Sequence, residues 1–166
     1  MKKLLYILGL GFSAHCLHSQ SLEKDSLAIA KLSHQFELLK TKLECPLKNS
    51  VVDYHMLYLD EQRRPTRGVD LVSDSLSVYV PFEGFVTGVF PSDDTTQSII
   101  VNHGNYFTVY SHLSNVYVKP GKRLSSGEMI GKVKRDMKQT PRLHFEIWFE
   151  SEKLWPPDWL LCAKKK

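Results

Sequence analysis

The sequence predicts an all-β fold, an antiparallel sandwich or barrel-sandwich hybrid, preceded by a short N-terminal α-helix. Three observations carry this. From Val51 onward, short apolar runs recur at close spacing, bounded by Gly, Pro, Asn and Asp, with no helical period between them; that is how sandwich and barrel-like sheets read. The stretch 140–150 alternates residue by residue, with Leu143, Phe145, Ile147 and Phe149 on one face and Arg142, His144, Glu146 and Trp148 on the other, as a strand requires. Ahead of them, Leu22, Ile29, Phe36 and Leu43 are spaced by seven, with Leu32 and Leu39 three residues after Ile29 and Phe36. That a/d pattern predicts a helical, coiled-coil-like segment over 20–45, ended by Pro46 because the residue before a proline is pushed out of the α region.

The 166 residues suffice for one domain with appendages. Residues 1–19 read as a secretory signal: Lys2-Lys3, an apolar run from Leu4 to Phe12, and a small, polar exit. The run is too short to span a bilayer comfortably, so the mature chain is expected to be exported, periplasmic or secreted, with no transmembrane segment. Without the leader, 20 basic residues stand against 18 acidic ones, a net charge of +2. Three of the bases are the terminal Lys164-Lys165-Lys166, read with 162–166 as a solvated tail. This balance is too small and too scattered for a nucleic-acid partner. Two cysteines remain, Cys45 and Cys162. An even pair in an exported chain is compatible with a disulfide, and two separate buried thiols are the alternative.

Taken in order, Val51–Leu59 is a candidate strand, followed by the basic loop Arg63–Gly68 and a short strand Val69–Val72. Ser77–Val80 ends at Pro81, and Phe85–Phe90 lies between Gly84 and Pro91. Ser98–Asn102 and Tyr106–His112 flank Gly104-Asn105, a hairpin signal. Val116–Val118 leads into Lys119-Pro120-Gly121, which suits a type II turn. Glu128–Lys134 is the last strand before the alternating one. Val118–Val133 also resembles the hairpin of biotinyl- and lipoyl-carrier domains, but carriers are modified in the cytoplasm and the leader argues against that role.

Gly68-Val69-Asp70, Thr108–Ser114, Val118–Gly121, Ser126–Gly131, Leu143–Ile147 and the closing Trp155–Leu160 occur in this order. Together they resemble the LytM/lysostaphin-type zinc metallopeptidases, which cut peptide cross-links of the bacterial cell wall. The resemblance spans about residues 50–161. In active members it implies a zinc held by a histidine and an aspartate four residues apart and by the second histidine of His-x-His. Two imidazoles and a carboxylate leave one tetrahedral position for water, whose pKa the metal lowers. The first histidine of His-x-His and a separate histidine in Tyr-x-His-Leu handle protons and the oxyanion.

Carried over by position, Asp70 matches the carboxylate ligand, His144 the distal histidine ligand and His112 the separate histidine, with Tyr110 beside it. Thr66 stands where the first ligand belongs, and Arg142 replaces the other histidine. An arginine neither deprotonates nor ligates a metal, but it can pair with a carboxylate, so Arg142 is expected to replace zinc as the counter-charge of Asp70. His103 is read as structural, His112 as keeping a structural hydrogen bond, and His55 as a conceivable substitute ligand. No metal and no confident catalytic residue are expected. The resemblance then implies a degenerate domain, like the non-catalytic activators of cell-wall amidases. Its partner would be an amidase or other peptidoglycan hydrolase, or a peptidoglycan peptide. An active zinc endopeptidase with an atypical ligand set and a structural envelope protein are the alternatives.

Overall fold

The computed structural model describes residues 23–54 and 68–164. Helix α1 covers 23–37. Ten strands follow: β1 (Val51–Val52), β2 (Val69–Val72), β3 (Ser77–Tyr79), β4 (Gly84–Pro91), β5 (Gln97–His103), β6 (Tyr106–Val116), β7 (Arg123–Leu124), β8 (Met129–Val133), β9 (Arg142–Phe149) and β10 (Glu152–Leu154). Among the described residues they form one antiparallel network in the order β1-β2-β9-β6-β5-β4-β7, with β10 on β9 and β3 paired to β8, which joins β6. This is an all-β fold with an N-terminal helix.

The alternation of β9 does what the sequence predicts. Leu143, Phe145 and Ile147 are fully buried, and Arg142, His144 and Glu146 are only partly so, on the opposite face. Strand β6 organises the rest. Its first half pairs with β9 from Tyr106↔Phe149 to Ser111↔His144, and its second half pairs with β8 from Leu113↔Val133 onward. The change falls at His112, whose φ is +67°. A histidine is among the residues that tolerate this left-handed region, at a cost. The departure lets β6 leave β9 and brings Val78, Ile130 and Val133 into the same core as Leu143 and Phe145. It also makes Val116 the end of β6, not the start of a separate strand.

The helix is shorter than the heptads predict. It ends at residue 37, and Leu43 lies in a bridge with Leu160. The reason is tertiary. Phe36 is fully buried, stacked on His103 at 4.7 Å and packed on Tyr106 and Trp159 at 5.0 and 5.4 Å. Leu39 and Lys40 then bond three residues back, and Thr41 turns left-handed at φ +72°. From there Thr41 and Leu43 donate to the carbonyls of Asp158 and Trp159. Burying Leu43 against the C-terminal segment thus outweighs another helical turn, whose propensity contribution is small. Ser33 fixes the contact by accepting the Asn105 amide at 2.7 Å. Gly104, at φ +88°, leaves room for it, since a Cβ there would collide with the Ser33 hydroxyl.

A disulfide joins Cys45 to Cys162 across 117 residues, which in the chain-entropy model contributes roughly 4–5 kcal/mol. Cys162 is buried, in a 3-10 turn over Leu161–Lys164, because the crosslink and the Leu43–Leu160 bridge pull this end of the chain inward; residue 162 is therefore not part of a solvated tail. No helix among the described residues is long and apolar enough to cross a membrane.

Truncating Phe36 to Ala should lower unfolding free energy by about 3–5 kcal/mol, read by urea denaturation at unchanged m-value. A loss under about 1 kcal/mol would mean that the helix is a passenger and not part of the core.

Candidate functional site

The half-buried face of β9 and its neighbours carries the site. The register sets Asp70 of β2 opposite His144, and Ser111 of β6 on the other side of it. Strand β2 approaches closely because Gly68 precedes it: a Cβ there would collide with the Phe145 carbonyl oxygen and the Glu146 side chain.

Arg142 is held by three carboxylates. Its Nη1 donates to Asp53 Oδ2 at 2.8 Å and to Asp70 Oδ2 at 3.3 Å, and its Nε lies 3.5 Å from Asp136 Oδ2. The expected pairing of Arg142 with Asp70 is present at the longer of the two bonds, and Asp53 is the nearer partner. Burial alone would lower the guanidinium's pKa, but the bond to Asp53 and the Asp70 charge raise it instead.

His144 extends the row. Its Nδ1–H donates to Asp70 Oδ1 at 2.8 Å and its Nε2–H to Glu146 Oε1 at 3.2 Å. Ionised carboxylates only accept, so both ring nitrogens carry protons and the ring is an imidazolium. Burial opposes that charge, yet the bonds to Asp70 and Glu146 and their charges outweigh it and raise the His144 pKa to about 9. Asp70 mirrors this: burial pushes its pKa up, while the His144 bond and charge, then Arg142 and His112, bring it below the ordinary value. Glu146 also accepts from Trp148 Nε1 and Lys153 Nζ, each at 2.8 Å. Burial would raise its pKa, but these donors and His144 lower it to about 2.

His112 differs. Its ring centroid is 6.0 Å from that of His144, and its pKa is lowered by burial and by the neighbouring cations, against the pull of Asp70. It is a neutral imidazole whose side chain forms no hydrogen bond among the described residues, so the structural bond read from the sequence is absent there. The left-handed backbone explains this, because it swings the ring out of the strand's pleat and towards the cleft.

Tyr110 requires a correction. Its place beside His112 in the motif assigns it to the cleft, but it is fully buried on the opposite face, against Phe145, with its hydroxyl bonded to Thr108. The period of two puts Ser111, not Tyr110, on the cleft side. Ser111 receives a bond from Ser98 at 2.6 Å. His103 is buried, donating Nδ1–H to the Glu83 carbonyl and bonding Thr108 through Nε2. Thr66 and His55 lie outside the described residues. Asp53, Asp136 and Lys153 escaped the sequence reading. Asp53 was absorbed into a strand that, as β1, ends at Val52; Asp136 arrives on the loop between β8 and β9, and Lys153 through the register of β10 on β9.

The shifts fix a pH dependence. His144 has an ordinary pKa of 6.5, raised to about 9, so its contribution is complete below about 6.5 and is lost as pH climbs through about 9. Glu146, lowered from 4.5 to about 2, contributes fully above about 4.5 and loses that contribution as pH falls towards 2. Unfolding free energy should therefore fall by up to about 3 kcal/mol between pH 6.5 and 9, and the slope should vanish in His144→Gln. Stability that rises over that interval would contradict the imidazolium assignment.

Residues 64–156, more than half of the chain, match the profile of Peptidase family M23. An uncharacterized metalloprotease of Haemophilus influenzae is 35% identical over 88 residues, covering 51% of this chain and 18% of that protein. The peptidoglycan DD-endopeptidase ShyA of Vibrio cholerae is 33% identical over 86 residues, covering 50% and 20%. The chain thus spans about a fifth of the length of these curated relatives. A solved structure of the SpoIIQ–SpoIIIAH pore forming complex contains a chain with the same fold, at TM-score 0.57 and 20% identity over 71% of this chain and 90% of that one. The profile match, with the fold to support it, makes the chain a member of Peptidase family M23.

Proposed function

We propose that this chain is a non-catalytic member of its family: an exported binder or regulator in peptidoglycan remodelling, which works by engaging a cell-wall amidase or another peptidoglycan hydrolase. The observation that carries this reading is the paired state of the row. The residues at the family's ligand positions do not fit zinc. Asp70 is bonded by both His144 and Arg142, and His144 offers no lone pair while each ring nitrogen donates to a carboxylate. A dication would have to displace a guanidinium that cannot deprotonate and strip a proton from the His144 ring. Breaking a half-buried ion-pair network to do so costs several kcal/mol. The SpoIIQ–SpoIIIAH complex supports partner binding on this scaffold.

A zinc endopeptidase is the second reading. It is favoured by the register that still aligns Asp70 with His144, and by ShyA being a peptidoglycan endopeptidase. Metal analysis of the purified protein divides the two. The proposal expects substoichiometric zinc, unchanged in His144→Ala; stoichiometric zinc lost in that variant would overturn it. Replacing both Thr66 and Arg142 by histidine should raise zinc affinity by at least about tenfold, measured by competition with a chelating dye. With zinc absent, stimulation of a purified amidase separates a regulator from a purely structural envelope protein.

A further inference from the structure

The Cys45–Cys162 disulfide stands at the edge of the core, where it lines an open cleft of about 310 Å³ with Glu44, Lys48, Asn49, Ser50 and Leu161. A tight turn shapes the rim. The Ser50 amide donates to the Leu47 carbonyl at 3.3 Å, and Asn49 takes a left-handed φ of +55°, which asparagine tolerates. Lys48 and Asn49 are thereby left exposed, with the Lys48 ammonium 4.7 Å from the Tyr79 ring. Cys162 is buried and Cys45 only half-buried, so the Cys45 sulfur is the one that an incoming group reaches.

Both sulfurs accept hydrogen bonds. The Cys162 amide donates to Cys45 Sγ at 3.0 Å, and the buried Ser50 hydroxyl donates to Cys162 Sγ at 3.7 Å. A thiolate accepts more strongly than a disulfide sulfur, so each bond tightens when the crosslink opens. A stabilised thiolate is also the better leaving group. Lys48 in the cleft favours that charge and Glu44 opposes it. Opening would not part the two ends of the chain. The Leu43 amide donates to the Trp159 carbonyl at 3.0 Å and the Leu161 amide to the Leu43 carbonyl at 2.9 Å, with Leu43 and Leu160 fully buried. These backbone ties keep the two thiols close enough to join again.

We propose that Cys45–Cys162 is a reversible redox site, reduced in the folded chain by a protein dithiol that enters this cleft. The dithiol's thiolate attacks Cys45 Sγ and forms a mixed disulfide. The Cys45–Cys162 bond breaks, and its electron pair passes to Cys162 Sγ, which takes a proton from water. The second sulfur of the dithiol, once deprotonated, attacks the first and releases Cys45 as a thiolate, which is protonated in turn. The dithiol departs as a disulfide, oxidised by two electrons, and this chain holds two thiols.

The test is reduction of the full chain by dithiothreitol without denaturant, followed by thiol labelling and mass spectrometry. The rate should rise in proportion to dithiothreitol and change little with urea below the unfolding transition, because exchange occurs in the folded chain. A rate that levels off at the global unfolding rate and climbs steeply with urea would overturn the proposal. With reduced glutathione, the trapped adduct should sit on Cys45; an adduct on Cys162 would contradict the assigned direction of attack. Ser50→Ala should slow reduction by at least about threefold, and Ser50→Thr, which keeps the hydroxyl, should restore the rate. Equal rates in all three proteins would remove Ser50 from the site. The reduced chain should keep its near-ultraviolet circular dichroism and regain the crosslink with oxidised dithiothreitol; a reduced chain that unfolds would make the bond purely structural.

Discussion

A guanidinium keeps its charge at every pH a protein survives, and in this chain it stands at 2.8, 3.3 and 3.5 Å from Asp53, Asp70 and Asp136. Much of the cleft follows from that one fact. Three acidic side chains brought together at a half-buried position would repel one another strongly enough to force protonation or opening. Arg142 removes the conflict and leaves Asp70 ionised. An ionised Asp70 in turn holds His144 as a cation, and His144 with Lys153 holds Glu146 as an anion. Alternating charge thus runs from Asp53 to Lys153 across strands β2, β9 and β10. Such a row is costly to break at any single member, because the partner left behind would be a partly buried, uncompensated charge.

The backbone that makes this row possible is set by few residues. Gly68 lets β2 lie close against β9, so that Asp70 meets His144 in register. His112 takes the left-handed conformation at which β6 exchanges β9 for β8, so its imidazole sits where the sheet changes partners. With the charged groups committed to one another, the rest of this face is the neutral His112 and the apolar floor around Trp148 and Phe107.

Most of the sheet was legible in the sequence because its signals are local. The alternation of 142–149, the Gly104-Asn105 turn and the glycine of Lys119-Pro120-Gly121, found at φ +85°, each depend on neighbours along the chain. The helix was overextended because heptad spacing does not register that Phe36 and Leu43 are claimed by His103, Trp159 and Leu160, which lie far along the chain. At the site, Asp70, Arg142 and His144 could be found from their positions in a motif, and the departure of Arg142 from that motif already pointed to charge pairing. Asp53, Asp136 and Lys153 could not be found, since only strand register and one loop bring them to the row. Tyr110 was misplaced by proximity along the chain, although strict alternation would have sent it to the core.

The central claim is that His144 is a doubly protonated ring locked between two carboxylates beside a permanent cation. Nitrogen-15 NMR of the histidine side chains, recorded near neutral pH with and without added zinc, addresses it directly. The account predicts two protonated ring nitrogens for His144, unchanged by zinc and titrating only near pH 9. A neutral ring, with one nitrogen shifted on adding zinc, would contradict it.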